Sequence, residues 1–422
     1  MDLRGPGHLV SSIAAMTRHE SCRSVSTVVR AILWSSLAVL SVGAEETPVA
    51  AWRTGVSIRP VTPHSDRHTY HAYYLTCPES PDGTRVLYYA STTKDGHQGE
   101  LVVRDRATGA ETVVARNLDT EDAHRAACQQ WISGGRRVAY HDVKAARWSV
   151  HVVDLATGQD RALATDRQLC FGRAVDDVLP VYGCHWNPGE HRDLELLDAV
   201  TGGIRTAVTA ADVARHSQVW LEKKFGGRPT SVFFPHISPD GRRVFFKMSA
   251  PGPDGAANNY RSSKASFREG LFVYDLETGR PVFVREKWGH PAWHPDSRRI
   301  IEVGNILIDT ENNGAISTMP ELPKMPGCHP ALSPDGRLFV MDGTLDFLGG
   351  PKGQWGVVVC DVRGHHHQVL HRFDNSRGAK SWRRNHPHPV FSPDGRRIYF
   401  NVNDGDWTRL MVAELSRVGP RI

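Results

Sequence analysis

The stretch "SPDGRRIYF", Ser392 to Phe400, combines a tight turn with the start of a β-strand. Proline fixes φ at the beginning of the turn, and Asp-Gly supplies residues that tolerate the left-handed backbone region. The residues after the turn are β-branched or aromatic, which favours a strand. Related segments begin at Ser80, Ser133, Ser238, His294 and Ser333, and a degenerate copy begins at Ala174. The chain therefore repeats one turn-and-strand unit along its length.

A second kind of hairpin follows most of these copies. In "LFVYDLETGRPVFV", Leu271 to Val284, a strand ends in Asp and a Thr-Gly turn leads into the next strand. Each unit thus has about four short strands, recurs every 40–60 residues or so, and must stack on its neighbours to bury a core. We predict an all-β fold, a seven-bladed β-propeller with four-stranded blades, whose last blade is completed by the strand at 54–63. A pair of open β-sandwiches is the alternative.

The first 44 residues have the pattern of a secretory signal peptide. The apolar run at 31–43 follows Arg18, Arg23 and Arg30, and small residues come after it. With about 13 residues the run is short for a membrane span, although a single anchor is the alternative. We predict a signal peptide at 1–44, a catalytic propeller at 45–422, and a secreted or periplasmic protein with no membrane association once the signal is removed.

The charge of the chain is mildly basic. Residues 1–44 contain four arginines and two acidic residues, so removing them changes the formal net charge from +5 to +3. This balance permits an anionic partner without requiring one. The cysteines outside the predicted signal are widely spaced and form no CxxC motif, so their pairing cannot be deduced from sequence. They are Cys77, Cys128, Cys170, Cys184, Cys328 and Cys360.

Histidines that the repeat does not need recur just before its turns. His290 lies in "WGHPAWHPD", His329 in "GCHPALSPDG", and His386 and His388 in "NHPHPVFSPDG". Segments that enter the innermost strands of a propeller lie near its axis, and residues i and i+2 of an extended segment point the same way. Converging imidazoles bind divalent transition metals. The sequence predicts a metal site, with Cys328 as an alternative ligand; a hydrogen-bonded buried ring is the plainer interpretation of any single histidine.

A second group of polar residues lies in the first half of the chain. His124 lies in "DTEDAHRAACQQW", His141 in "RRVAYHD", and Tyr182, His185 and Arg192 in "LPVYGCHWNPGEHRDLELLD". Proton abstraction next to a carboxylate requires a base, an acid and a cation that neutralises the carboxylate. His, Tyr and Arg from neighbouring blades could supply these roles, whereas ordinary packing at strand ends is the alternative.

The chain resembles, over residues 60–416, the seven-bladed propeller polysaccharide lyases, namely the oligogalacturonate lyases and the related ulvan lyases. "NHPHPVFSPDG" is similar to the metal-binding HPHP segment of the oligogalacturonate lyases, and "WGHPAWHPD" is similar to their segment that supplies a further histidine. The resemblance implies that His290, His386 and His388 are metal ligands with His329 close by. It implies a divalent metal ion, zinc or manganese, which in the ulvan lyase branch is mainly structural.

The segments "EDAHRAACQQW" and "VAYHD" are similar to the histidine pair of the ulvan lyases. The resemblance implies that His124 and His141 are the catalytic pair, Tyr182 the proton donor or base partner, and Arg192 the group that neutralises the carboxylate. Arg383 stands where oligogalacturonate lyases have a glutamine, which favours the ulvan lyase branch.

The expected function is β-elimination of a uronic-acid-containing, sulfated, ulvan-like polysaccharide, which leaves unsaturated uronate ends. An oligogalacturonate lyase is one alternative, and a non-catalytic TolB-like binding propeller is another. The expected partner is an anionic polysaccharide rather than nucleic acid, and the protein is expected to be a monomer.

Overall fold

The computed structural model describes residues 48–257, 259–319, 321–322 and 329–416. Within these ranges the strands form seven antiparallel sheets of four strands each, arranged as the blades of a propeller. The predicted all-β, seven-bladed fold is therefore confirmed. The predicted signal peptide lies outside the described residues.

Each blade runs outward from the centre in chain order, except that the last blade takes its outermost strand from the beginning of the propeller. Blade 1 has β2 (His68–Tyr70), β3 (Arg85–Ser91), β4 (Gln98–Asp105) and β5 (Glu111–Asp119); blade 2 has β6 (Gln130–Ile132), β7 (Arg137–Lys144), β8 (Arg147–Asp154) and β9 (Asp160–Thr165); blade 3 has β10 (Arg167–Leu169), β11 (Val178–Gly183), β12 (Leu194–Asp198) and β13 (Ile204–Val208); blade 4 has β14 (Ser231–Ile237), β15 (Arg243–Pro251), β16 (Ser266–Asp275) and β17 (Pro281–Arg285). Blade 5 has β18 (Ala292–Trp293), β19 (Arg299–Glu302), β20 (Ile306–Asp309) and β21 (Ala315–Thr318); blade 6 has β22 (Ala331–Leu332), β23 (Leu338–Thr344), β24 (Trp355–Asp361) and β25 (His367–Phe373); blade 7 has β26 (Val390–Phe391), β27 (Arg397–Val402), β28 (Arg409–Leu415) and β1 (Val56–Pro60).

The last blade closes the ring. Strand β1 pairs antiparallel with β28, with Ile58 opposite Ala413, as predicted for the strand at 54–63. A buried ion pair ties the same blade to blade 1, because the carboxylate of Glu79 accepts hydrogen bonds from Arg397 Nε at 2.7 Å and Nη2 at 2.8 Å. The Tyr399 hydroxyl donates to the same carboxylate. The two ends of the propeller are therefore joined by a sheet and by a buried polar cluster.

Hydrogen bonds within the repeated SPDG turn explain why it contains serine, aspartate and glycine. Ser238 Oγ donates to Asp240 Oδ1 at 2.6 Å and accepts from the Arg243 amide at 2.9 Å. The Gly241 amide donates to the Ser238 carbonyl at 2.9 Å, with φ at 78°. The same serine contacts recur in the turns that begin at Ser80, Ser333 and Ser392. The motif is structural, so any chemistry must come from other residues.

Two helices interrupt the β architecture between blades 3 and 4. They are α1 (Ala210–His216) and α2 (Gln218–Phe225). Thr209 caps the first by accepting a hydrogen bond from the Asp212 amide, and Gly226, with φ at 61°, ends the second. A single turn, α3 (Pro253–Ala256), follows in blade 4, and 3-10 turns span Ala50–Trp52, Ser133–Gly135 and Asp346–Leu348. Among the described residues, no helix has the length and apolar character needed to cross a membrane.

Aromatic side chains from the loop after β2 lie at the hub of the propeller. The Tyr73 ring stacks on Phe171 of blade 3 at a centroid distance of 5.7 Å and meets Phe234 of blade 4 edge-on at 5.4 Å. The Tyr74 hydroxyl donates to the carbonyl of Pro291, just before blade 5. These rings are buried and join blades from opposite parts of the ring. The segments that lead into the innermost strands surround them.

Candidate active site and metal centre

Four histidines converge beside Tyr73 at the hub. One ring nitrogen from each of His124, His329, His386 and His388 lies within 4.8 Å of the others. His329 stands just before β22 and the pair at 386 and 388 just before β26, whereas His124 comes from the loop between β5 and β6. The structure thus brings together three of the predicted metal ligands and one residue predicted to be catalytic. We call these four residues the histidine quartet.

Every member of the quartet has a ring nitrogen that is buried without a hydrogen-bond partner in the described part of the chain. These atoms are His124 Nε2, His329 Nε2, His386 Nδ1 and both ring nitrogens of His388. Buried polar atoms are normally paired, so the cluster carries an uncompensated cost. A divalent metal bound to the free lone pairs would remove that cost, and imidazole nitrogen is a suitable donor for zinc and manganese. The donor set therefore fits a metal ion.

Burial keeps the quartet neutral. It lowers the pKa of His329 to about 3, with the Arg383 charge acting in the same direction. Burial and the neighbouring His329 lower the pKa of His386 to about 3, and burial likewise depresses the pKa values of His124 and His388. Only neutral imidazole can ligate a metal or accept a proton, so the quartet is in the form that either role requires.

Asp342 on β23 orients two members of the quartet. Its buried carboxylate accepts hydrogen bonds from His329 Nδ1 at 2.9 Å, from the His329 amide at 3.0 Å and from the His388 amide at 3.1 Å. His388 has φ at 46°, an uncommon value for a residue with a Cβ. Burial raises the pKa of Asp342 to about 6, although His386 and the two amides oppose that rise. A carboxylate behind a metal-binding histidine fixes its tautomer and ring orientation.

His290, the remaining predicted ligand, lies at the margin of the quartet. Its ring centroid is 4.4 Å from that of His329, and its side chain is half-buried. The group of four mutually close ring nitrogens does not include it. Cys328, the alternative ligand, lies outside the described residues. The five described cysteines, Cys77, Cys128, Cys170, Cys184 and Cys360, are unpaired.

His141, predicted to be the partner of His124, lies in a separate environment on β7. Its Nδ1 accepts a hydrogen bond from the Leu169 amide at 3.2 Å, and its ring packs edge-on against Trp148 at 4.8 Å. The side chain is 1% exposed, and burial lowers its pKa to about 3. The structure does not bring His141 into contact with His124.

Tyr182 is fully buried on β11, and its cationic neighbour is Arg125 rather than the predicted Arg192. The Tyr182 hydroxyl accepts a hydrogen bond from Arg125 Nη1 at 3.3 Å. Arg192 is exposed, and its Nε donates to the Gly189 carbonyl at 3.3 Å. In the described part of the chain Arg192 makes no hydrogen bond or ion pair with Tyr182 or with the predicted catalytic histidines.

A buried carboxylate holds Arg125 in place. Glu121 accepts hydrogen bonds from Arg125 Nη2 at 2.7 Å, from Gln168 Nε2 at 3.2 Å and from His185 Nε2 at 3.3 Å. Although burial opposes ionisation, Arg125 and His185 hold the pKa of Glu121 well below its usual range. The Ser266 hydroxyl bonds to the other ring nitrogen of His185 at 2.7 Å. Glu121 therefore stays charged and anchors a polar network between blades 2, 3 and 4.

Four cations gather around this network and the quartet. Arg125 is buried, whereas Lys247, Arg268 and Arg383 are half-buried. Arg383 Nη1 lies 3.5 Å from Asp122 Oδ2, and its guanidinium packs on the Trp382 ring with a centroid distance of 5.1 Å. Sequence reasoning missed Arg125, Lys247 and Arg268, because Arg125 lies in the loop before blade 2 and the other two lie on blade 4, more than 120 residues further along the chain. The only local signal was that Arg125 directly follows His124. Such an arrangement can bind an anion beside imidazoles that can exchange a proton.

Comparisons with known proteins define the class of fold. The chain is similar in structure to an oligogalacturonate lyase solved in complex with manganese, with a TM-score of 0.59 and 17% sequence identity over 85% of this chain and 93% of that one. It is also similar to the oligogalacturonate lyase of Vibrio parahaemolyticus, with a TM-score of 0.57 and 16% identity over 86% of this chain and 95% of that one. No family model matches the sequence, and no curated protein is significantly similar to it. The likeness establishes the seven-bladed propeller fold.

Proposed function

We propose that the protein is a carbon–oxygen lyase that cleaves a uronic-acid-containing polysaccharide by β-elimination. The observation that carries the proposal is the placement of neutral, buried and unpartnered imidazoles next to the half-buried Arg383. In β-elimination the C5–H bond and the C4–O4 bond break, a C4=C5 double bond forms, and O4 leaves with a proton. The reaction needs a cation on the uronate carboxylate and a neutral base near C5.

Arg383 is the proposed carboxylate-binding residue, in the role that the resemblance implied for Arg192. The carbonyl of the adjacent residue Arg384 accepts a hydrogen bond from His124 Nδ1 at 3.2 Å, which holds this segment against the quartet. The Arg383 charge also depresses the pKa values of His124 and His329. Its partner Asp122 also accepts the amides of His124 and Arg125, so this carboxylate is shared among several donors. The guanidinium of Arg383 therefore retains donors for a substrate carboxylate.

His124 is the proposed base. Its Nδ1 donates to the Arg384 carbonyl at 3.2 Å, which leaves the lone pair on Nε2 free to take the C5 proton. In a syn elimination the imidazolium formed in this way can return its proton to the departing O4, so one residue serves both steps. Tyr182 contacts Arg125 and His141 packs on Trp148, away from the quartet, so we assign them to supporting those residues rather than to proton transfer.

His329, His386 and His388 would hold the divalent metal, with Asp342 behind two of them. Zinc or manganese bound there would supply a fixed positive charge that holds two blade entries together and favours the anionic form of a nearby substrate. His124 completes the quartet geometrically, but the same nitrogen cannot ligate a metal and abstract a proton. We therefore assign the three histidines of blades 6 and 7 to the metal and His124 to the proton.

The direct test is the ultraviolet absorbance of the unsaturated uronate product. Purified protein is incubated with ulvan, with oligogalacturonate and with other uronans, and His124→Ala is assayed alongside as the variant expected to be inactive on the ulvan-like polymer. An ulvan-like sulfated polymer is the proposed best substrate. Absence of product on every uronan would reject the lyase and leave a binding propeller as the remaining class.

An oligogalacturonate lyase is the second candidate, favoured by the structural likeness to two such enzymes. The two candidates differ in which polymer yields product and in the response to His124→Ala, which abolishes ulvan-type cleavage and should spare oligogalacturonate cleavage. We also propose that the protein acts outside the cytoplasm, because a uronic-acid-containing polysaccharide is encountered there. Fractionation of cells that express the full chain tests this location.

A further inference from the structure

Two cations on adjacent strands of blade 4 lie over one aromatic ring. Lys247 stands on β15 directly opposite Phe233, at a point where the pairing with β16 shifts register. The Lys247 Nζ lies 5.4 Å from the Phe233 ring centroid, and Arg268 Cζ, from β16, lies 4.9 Å from the same centroid. Bulges commonly re-aim a side chain next to a functional site. Here an ammonium and a guanidinium from adjacent strands pack against the same ring.

Neither cation has a carboxylate partner among the described residues. Lys247 makes no hydrogen bond or ion pair there and instead lies 3.9 Å from the centroid of the Trp288 ring. Arg268 donates only to Ser266 Oγ, at 2.8 Å. The nearest acidic residue along β16, Glu269, is engaged by Lys224 at 2.9 Å and by the Trp288 amide at 2.9 Å. Two like charges are therefore half-buried together without a carboxylate in hydrogen-bond contact, and the Glu121 and Glu269 charges act on them only from a longer distance.

This pairing is unfavourable in the free protein. Burial and the charges of Arg268, Arg383 and Arg125 depress the pKa of Lys247 well below its usual range. Burial and the charge of Arg383 lower the pKa of Arg268 to about 10. An oxyanion between the two cations would relieve both the desolvation and the repulsion, and a guanidinium beside an ammonium suits sulfate or carboxylate oxygens.

We propose that Lys247 and Arg268 form a second oxyanion site, next to the Arg383 site for the reacting carboxylate, which binds a sulfate ester or a further carboxylate of the substrate. The proposal rests on the proposed function for the nature of the ligand. It deepens that function, because a substrate that fits both sites carries two anionic groups on neighbouring positions. The Trp288 ring, half-buried beside Lys247, reports on the site.

The test measures binding without cleavage, in the His124→Ala background. Inorganic sulfate, a sulfated uronan oligosaccharide and its desulfated form of equal length are titrated by calorimetry, with tryptophan fluorescence as a second readout. Lys247→Met and Arg268→Met should each weaken binding of the sulfated ligand about tenfold or more, equivalent to the loss of one charge-assisted contact. Arg280→Met, which removes an exposed cation in the turn between β16 and β17 of the same blade, is the matched control and should leave affinity unchanged.

The pattern across ligands identifies the source of the oxyanion. Loss of affinity confined to the sulfated ligand and to inorganic sulfate assigns a sulfate ester, whereas an equal loss with the desulfated ligand assigns a carboxylate. Unchanged affinity of both variants for all three ligands overturns the proposal. If the parent protein cleaves no uronan but its binding of these ligands depends on Lys247 and Arg268, the proposed lyase function is rejected and the proposed oxyanion site is retained.

A second measurement guards against misfolded variants. Because Lys247→Met removes a like-charge contact, its melting temperature without ligand should equal or exceed that of the parent, and added sulfate should stabilise the parent more than the variant. A variant that melts lower and still responds to sulfate like the parent would also contradict the proposal.

Discussion

Replacing Asp342 by asparagine should uncouple the metal site from the blade that supports it. The carboxylate accepts from His329 Nδ1, from the His329 amide and from the His388 amide, all at about 3 Å. Asparagine keeps one acceptor oxygen and turns an NH2 group towards the remaining donors, so at least one buried N–H loses its partner. The unmet donor costs about 1–3 kcal/mol of folding free energy. Loss of a carboxylate behind a metal-binding histidine weakens metal affinity about 10–100-fold, which is about 1.4–2.8 kcal/mol.

The assay is competition of the metal-free protein with a chelator of known affinity for zinc and for manganese, alongside urea unfolding of the metal-free form. Asp361→Asn is the matched control, because Asp361 is buried on β24 of the same blade and bonds the Arg363 amide rather than a histidine. Metal affinity of Asp342→Asn equal to that of the control would refute the role of Asp342 and, with it, the assignment of His329 and His388 to a metal.

Three further outcomes are expected. His124→Ala should retain stoichiometric metal by elemental analysis and lose activity, whereas His329→Ala should lose the metal; metal loss in both variants would make His124 a ligand instead of the base. Burial lowers the pKa of His236 to about 3, against about 6.5 in the unfolded chain. As pH falls from about 6.5 towards 3, only the unfolded state takes up the proton, so the folded state should become less stable. At pH 5 this amounts to up to about 2 kcal/mol, so His236→Gln should flatten the pH dependence seen by urea unfolding, and an unchanged slope would contradict the burial argument. Glu79→Gln should lower the free energy of unfolding by about 3 kcal/mol, since it leaves the buried Arg397 guanidinium without its bidentate partner. Arg59→Met, at the exposed Arg59–Glu414 pair, should lower it by less than about 1 kcal/mol. Equal losses of stability in the two variants would contradict a special role for the buried pair.

The fold was predictable because its determinants are local. Each SPDG turn is fixed by contacts within six residues, such as those of Ser238 with Asp240 and Arg243, so a single copy can be recognised from sequence. Counting the copies gives the number of blades. The helices α1 and α2 were not predicted, because they occur once and lie outside the repeat, although Thr209 and Gly226 carry ordinary capping signals.

The site was predictable only where it follows the repeat. His329 and His388 each stand two residues before an innermost strand, and His386 lies two residues ahead of His388 in the same segment, so their convergence follows from the period. His124 reaches the same place by another route, since its loop crosses to blade 7, where Asn385 Nδ2 donates to the Ala123 carbonyl at 2.8 Å. No local pattern encodes a contact between segments about 260 residues apart, and it arises only when the first and last blades become neighbours.

The same limit explains Arg192 and Asp342. The resemblance to ulvan lyases implies a role for Arg192, but this residue lies in a surface loop ahead of β12, whereas Arg125 reaches Tyr182 from the neighbouring blade. Asp342, in "FVMDG", looks like any aspartate near the end of a strand. Its importance comes from two amides and a ring nitrogen that other segments present to it in space.

The propeller can close only after β28 has been synthesised, because the last blade is completed by the pairing of β28 with β1. Synthesis yields β1 first and its partner last, so six blades can assemble while the seventh waits with an unpaired edge. A chain delivered across a membrane in unfolded form would meet this requirement naturally, because both ends arrive before the circle is sealed. Joining the native termini and opening the chain in a surface loop between two blades would move the point of closure without altering the hub. The β1–β28 pairing, which now joins residues more than 350 positions apart, would then become a local contact.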